Sequence, residues 1–205
     1  SLQRAVGFFG EDTNAIVAGC GVSGILFALI FNVIDSIGSA CMSAVSQNYS
    51  VGKYKNIATI IKFSLLLSIM VFVIIGIPLL LSGRQLISIF LAEEIASRNQ
   101  LTEATQAGWL KLSIFVGCSI FYGSMQCLNN TICGCRSSLI AVINTAIVTV
   151  LRVSITAILL YCTPELNLTV FIWLILVVPI TWVLSTIFST FYLLYTWKKY
   201  IKHTG

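Results

Sequence analysis

The residues able to do chemistry in this chain recur at helical steps inside long apolar runs. Asn32, Asp35, Ser39, Ser43 and Ser46 follow one another at intervals that place them on one face of a helix. Tyr122, Gln126, Asn129 or Asn130, and Cys133 repeat the pattern, and so do Thr145, Thr149, Arg152 and Thr156. Polar stripes of this kind do not face hydrocarbon cheaply; they face one another or a water-filled cavity. Hydrogen bonding between helices is enough to account for the Ser and Thr positions taken alone. Asp35 and Arg152 ask for more, because an ionisable group within a greasy run has to be paired or to face water.

No other constellation competes. The single histidine is His203 near the C-terminus, and there is no cluster of histidine and carboxylates, so neither hydrolytic nor metal chemistry is indicated. An enzyme is not expected, nor is a cofactor. The cysteines Cys20, Cys41, Cys118, Cys127, Cys133, Cys135 and Cys162 contain no C-x-x-C spacing, and most sit in apolar runs where cysteine acts as a small hydrophobe. The net charge of +5 comes from basic residues scattered singly or in pairs, which is no footprint for nucleic acid.

The elements that must position these residues follow from composition. Of 205 residues, 58% are hydrophobic and 9% charged, and the mean hydropathy is +0.97. A soluble domain carries charge on about a quarter of its residues. Twelve Lys and Arg with seven Asp and Glu cannot cover the surface of a soluble domain this long, so most of the chain is solvated by lipid.

Five runs are long enough to cross a bilayer as helices: about 14–47, 59–82, 105–130, 137–161 and 166–197. They are too long for barrel strands and do not alternate, so the fold class is all-α, a polytopic membrane helix bundle. Pro78 and Pro179 lie inside spans and are expected to kink them. The connectors carry orientation. Segments 48–62, 131–136 and 197–205 hold Lys53, Lys55, Lys62, Arg136, Lys198, Lys199 and Lys202, against Arg4, Arg84 and Arg98 in the alternate connectors. That places the turns near Lys53 and Arg136 and the C-terminal tail in the cytoplasm, with Trp197 and Tyr200 as interfacial anchors. The connector from Gly83 to about Ala104, with Glu93, Glu94 and Glu103, and the turn from Thr163 to Asn167 are then external.

Measured from the cytoplasmic ends of their helices at about 1.5 Å per residue, Asp35 lies roughly 16 Å deep and Arg152 roughly 22 Å. Two readings stand at these depths. In one, Asp35 and Arg152 form a static ion pair that pins two helices. In the other, Asp35 faces a transport cavity, where it exchanges a proton or attracts an organic cation. Gly19, Gly21 and Gly24 permit close approach of a neighbouring backbone. An odd number of spans and a first residue, Ser1, that is not methionine lead to the expectation that this is the C-terminal part of a larger membrane protein.

Residues 17–56, VAGCGVSGILFALIFNVIDSIGSACMSAVSQNYSVGKYKN, resemble the segment in the second half of multidrug and toxic compound extrusion (MATE) transporters that ends in a pattern like A-x-x-x-x-x-x-Q-N-x-G-A-G-K-Y. Ala40, Gln47, Asn48, Gly52, Lys53 and Tyr54 match, while Ser50 and Val51 replace the usual Gly-Ala. Further on, Cys133-Gly134-Cys135-Arg136-Ser137-Ser138 and the following Leu151-Arg152 resemble the family's L-R-G-x-G-x-S turn and the L-R of its next helix. Gly134, Ser138, Leu151 and Arg152 match; Cys133 and Arg136 stand where Arg and a second Gly are usual.

The resemblance implies a secondary antiporter of the plasma membrane that expels small amphipathic, usually cationic, compounds in exchange for Na⁺ or H⁺ by rocking two bundles about a cavity. This chain would supply the last five helices of the second bundle, partnered by a missing N-terminal one. Asn32, Asp35, Ser39, Tyr122, Gln126, Asn130 and Arg152 are the candidate cavity and coupling residues. The run from Leu112 to Cys135 lacks the carboxylate that some members place there, which leaves Asp35 as a local substitute or a structural residue. Two alternatives keep the architecture: a flippase for lipid-linked oligosaccharides, whose cavity should be strongly cationic, and a non-transporting membrane subunit.

Overall fold

The computed structural model describes residues 13–92, 95, 98–162 and 168–201, with side chains over 15–92, 95, 98–162 and 170–196. Arg4, Glu93, Glu94, Lys202, His203 and the turn from Thr163 to Asn167 lie outside the described residues, as do the side chains of Trp197, Lys198, Lys199 and Tyr200. The described elements are helices: α1 (Thr13–Ser50), α2 (Tyr54–Val71), a π-helical turn (Phe72–Gly76), α3 (Ile77–Ala92), α4 (Arg98–Gly117), α5 (Ser119–Gly134), α6 (Ser138–Cys162) and α7 (Leu168–Ile201). Backbone groups in hydrocarbon must be satisfied within their own segment, and long runs of apolar residues with few Gly or Pro do so as helices.

Two of the five spans differ in detail from expectation. The second does not stop near Ser82 but runs from Tyr54 to Ala92. Pro78 has no N–H, and its ring crowds the carbonyl four residues back, at Ile74. The π turn of Phe72–Gly76 widens the helix at that place and lets it continue. The third span is a broken rod: α4 and α5 meet at 48° across Cys118, whose φ of −92° and ψ of 2° leave the helical region. Pro179, by contrast, lies within one unbroken α7.

α1 is the hub. It packs most extensively on α4 and α5, then on α2 and α3, whereas α6 lies at the edge against α5 and α7. Lipid gives no hydrophobic drive for helices to associate, so close packing and polar contacts must hold the bundle. At the α1–α4 crossing, a Cβ on Gly108 would fall 2.5 Å from the carbonyl oxygen of Gly19, so the two backbones touch with no side chain between them. Lower down, a Cβ on Gly134 would come within 2.8 Å of the Met42 carbonyl oxygen, and this glycine seats the end of α5 on α1. Phe27, Ile30, Ile34, Tyr122 and Trp182 form the central core, and α6 turns Leu139, Val142, Val150 and Val153 outward as a lipid face.

Two helix ends close in the same way. Gly52 takes φ +72°, with Lys53 N–H donating to Asn48 O at 2.9 Å and Gly52 N–H to Tyr49 O at 3.2 Å. At the end of α5, Arg136 takes φ +60°, with Ser137 N–H donating to Ile132 O at 3.2 Å and Arg136 N–H to Cys133 O at 3.0 Å. Both are Schellman closures, whose left-handed position favours glycine. Arg136 therefore occupies, with a side chain, the backbone conformation of the glycine usual in the motif. The prediction is that Arg136→Gly raises stability by about 0.5–1 kcal/mol while Gly52→Ala lowers it by about 1–2 kcal/mol. Thermal unfolding in detergent measures both, and a destabilised Arg136→Gly would contradict the strain assigned to this turn.

Candidate functional site

The carboxylate of Asp35 sits half-buried where α1 meets α5. Its Oδ1 accepts hydrogen bonds from Tyr122 Oη and from Gln126 Nε2, each at 2.5 Å. One helical turn separates the two donors, so both reach the same acceptor from one face of α5. The break at Cys118 lies just before this pair and sets the direction in which α5 presents it. Tyr122 is buried and fixed by rings: its ring centroid lies 3.8 Å from that of Phe31 and 5.2 Å from that of Trp182. Asn130 continues the α5 stripe, donating to Gln126 O at 2.9 Å and lying over Gly38.

Asp35 and Arg152 do not pair. Arg152 turns to α7 and donates to Thr181 Oγ1 from Nη2 at 2.9 Å and from Nε at 3.3 Å, while Thr181 donates to Val178 O at 2.7 Å. Among the described residues, no hydrogen bond reaches Oδ2 of Asp35, and no basic side chain forms an ion pair with the carboxylate. The static ion pair is therefore replaced by two separate polar contacts at two different helix seams.

The other stripe residues divide. Asn32, Ser39, Ser43 and Ser46 lie exposed on α1 beside Asp35, and the Ser39 hydroxyl donates back to Asp35 O at 3.0 Å. On the far side of α5, Asn129 donates to Thr145 Oγ1 at 3.3 Å, and Asn144 Nδ2 donates to Ser185 and Ser189 at 2.9 and 3.1 Å. Of the α6 stripe, Thr145 thus meets α5 and Arg152 meets α7, while Thr149 is exposed and donates to Thr145 O. Of the motif residues, Gln47 is exposed, and Asn48 donates to Ala44 O while its Oδ1 accepts from Asn56 at 2.9 Å.

Lys111 is the residue that pattern reading passes over. It lies at the border of an apolar run and so resembles an ordinary head-group lysine, yet it is buried. Its Nζ donates to Cys20 O at 2.7 Å and lies 5.7 Å from the Phe115 ring centroid. Gly24, one turn along α1 from Cys20, lies beside it, and a Cβ there would sit 3.6 Å from the Nζ, an ordinary contact. The aromatic group of Phe27, Phe31, Phe115, Tyr122 and Trp182 fills the space between this cation and Asp35. The Phe27 and Phe31 spacing was its only trace in the sequence.

Several helices are long and apolar enough to cross a membrane, and within the bundle they form the carboxylate of Asp35 is held by uncharged donors. The MatE family model matches residues 7–158, most of the chain, and the chain belongs to this family of MATE-type transporters. No curated protein and no solved structure matches it.

The geometry separates two kinds of hydroxyl. Tyr122→Phe removes one of two donors to a carboxylate and is expected to cost about 1–2 kcal/mol. Ser119, just past the break, buries a hydroxyl with no partner among the described residues, so Ser119→Ala is expected to gain about 1 kcal/mol. Unfolding midpoints of the two variants in detergent should move in opposite directions; shifts of the same sign would refute the assignment.

Proposed function

We propose that this chain forms most of one lobe of a two-lobe secondary antiporter, which expels small amphipathic or cationic organic compounds in exchange for Na⁺ or H⁺. Asp35 is the group through which this lobe exchanges cations. The observation that carries the reading is the half-bonded carboxylate: Oδ1 holds both donors, Oδ2 holds none among the described residues, and no basic side chain neutralises it. A fixed carboxylate with one open oxygen binds a proton, a sodium ion or an ammonium group reversibly, because no built-in cation has to be displaced first.

The exposed stripe of Asn32, Ser39 and Ser43 beside it supports an aqueous path between this lobe and a facing N-terminal bundle. Gln126 and Asn130 extend that path along α5. In this reading the protein lies in the plasma membrane, with the Gly52 and Arg136 turns and the C-terminus in the cytoplasm. The flippase alternative has less support. Its anionic cargo calls for converging cations, whereas Arg152 and Lys111 are committed to Thr181 and Cys20 at separate seams.

Asp35→Asn keeps the shape and the bonds to Tyr122 and Gln126 while removing the charge. It is expected to lower ion-driven efflux of a fluorescent organic cation from cells at least tenfold at unchanged surface expression. Efflux at the unsubstituted level would leave Asp35 a packing residue and end this reading.

A further inference from the structure

A second feature lies between α1 and α2. α1 and α2 diverge to leave a groove of about 750 Å³, with Val33, Ile37 and Ala40 on one wall and Ile60, Phe63 and Leu67 on the other. Its walls are mainly apolar, and Phe63 and Leu67 are exposed along it. From Val33 to Asn48 the groove runs about 22 Å along the helix axis. That is about the depth of one leaflet, half of a ~30 Å hydrocarbon core together with its interfacial zone. The groove therefore has the shape of a slot for an acyl chain.

The mouth has a different chemistry. Asn48 and Asn56 line it and hydrogen bond to each other, so two side-chain amides sit where the chain crosses the membrane boundary. Lys53 is exposed in the adjoining turn and Lys55 in the first turn of α2. No acidic residue occurs anywhere from 36 to 92, so nothing on α1 past Asp35, on α2 or on α3 competes for these ammonium groups. The α5–α6 turn at the same end of the bundle adds Arg136 and no acid. An apolar slot one leaflet deep that opens beneath unopposed lysines is complementary to one kind of molecule, an anionic phospholipid.

We propose that the α1–α2 groove is a binding site for one anionic phospholipid, with an acyl chain between Ala40 and Phe63 and the phosphate at Lys53 and the Asn48–Asn56 pair. Charge at a membrane surface weights binding by about fivefold for each lysine within reach of the head group. The site is independent of Asp35 and of the transport reading.

The test uses the protein with Phe63→Trp, reconstituted in phosphatidylcholine with a small fraction of lipid brominated on its acyl chains. Measured as the difference between the Phe63→Trp protein and the unsubstituted protein, whose four tryptophans are the background, quenching at position 63 by brominated phosphatidylglycerol should show at least tenfold preference over brominated phosphatidylcholine, saturating at one lipid per chain. Lys53→Glu should abolish the head-group preference. Ala40→Phe, which fills the slot without adding a tryptophan, should abolish the saturable component. Equal quenching by both lipids would mean ordinary annular lipid and overturn the proposal. Absence of quenching by either would mean that another stretch of polypeptide covers the groove, which also overturns it.

Discussion

A polar group carried into hydrocarbon has to find its partner within the protein, and here that requirement is met chiefly along the seam between α1 and α5. Asp35 places a carboxylate on the central helix, Tyr122 and Gln126 supply two donors one turn apart, and Phe31 and Trp182 fix the tyrosine ring. α4 fits against α1 only because Gly19 and Gly108 carry no side chains, and α5 ends on α1 only because Gly134 has none. Where apolar burial gives no net drive, such fits and a few hydrogen bonds decide which helices are neighbours.

Much of this was legible in the sequence, for a physical reason. Membrane thickness sets a length that apolar runs must reach, so the all-α class follows from the chain alone, the family follows from its motifs, and the shared face of Tyr122 and Gln126 follows from helical periodicity. Partner choice was not legible. Periodicity gives the face of a helix but not what lies opposite, and the two deep charges that might have met are instead committed to Gln126 with Tyr122 and to Thr181. Lys111 escaped because a lysine at the border of an apolar run reads the same whether it snorkels to the surface or turns inward to a carbonyl. The break at Cys118 left no proline or polar cluster to mark it, only Gly117 beside it. Arg136 was visible as a departure from the motif, but not the left-handed backbone it retains.

Charge is also sorted along the bundle axis. Apart from Asp35, every acidic residue lies before α1, between α3 and α4 or early in α4, or between α6 and α7. The opposite ends, at Gly52 and Arg136, carry only basic residues. The deep charges of the bundle are single residues on separate seams.

The unpartnered hydroxyl beside the break carries a consequence for how this rod can change shape. Elsewhere in the chain, serines such as Ser39, Ser68 and Ser124 donate to the carbonyl four residues back along a continuous helix. Ser119 would find the Phe115 carbonyl in the same way if α4 and α5 formed one straight helix. The angled form therefore forgoes a bond that a straight form would make, a difference of about 1–3 kcal/mol. Straightening the joint would return that bond at the expense of the packing that now holds the bend.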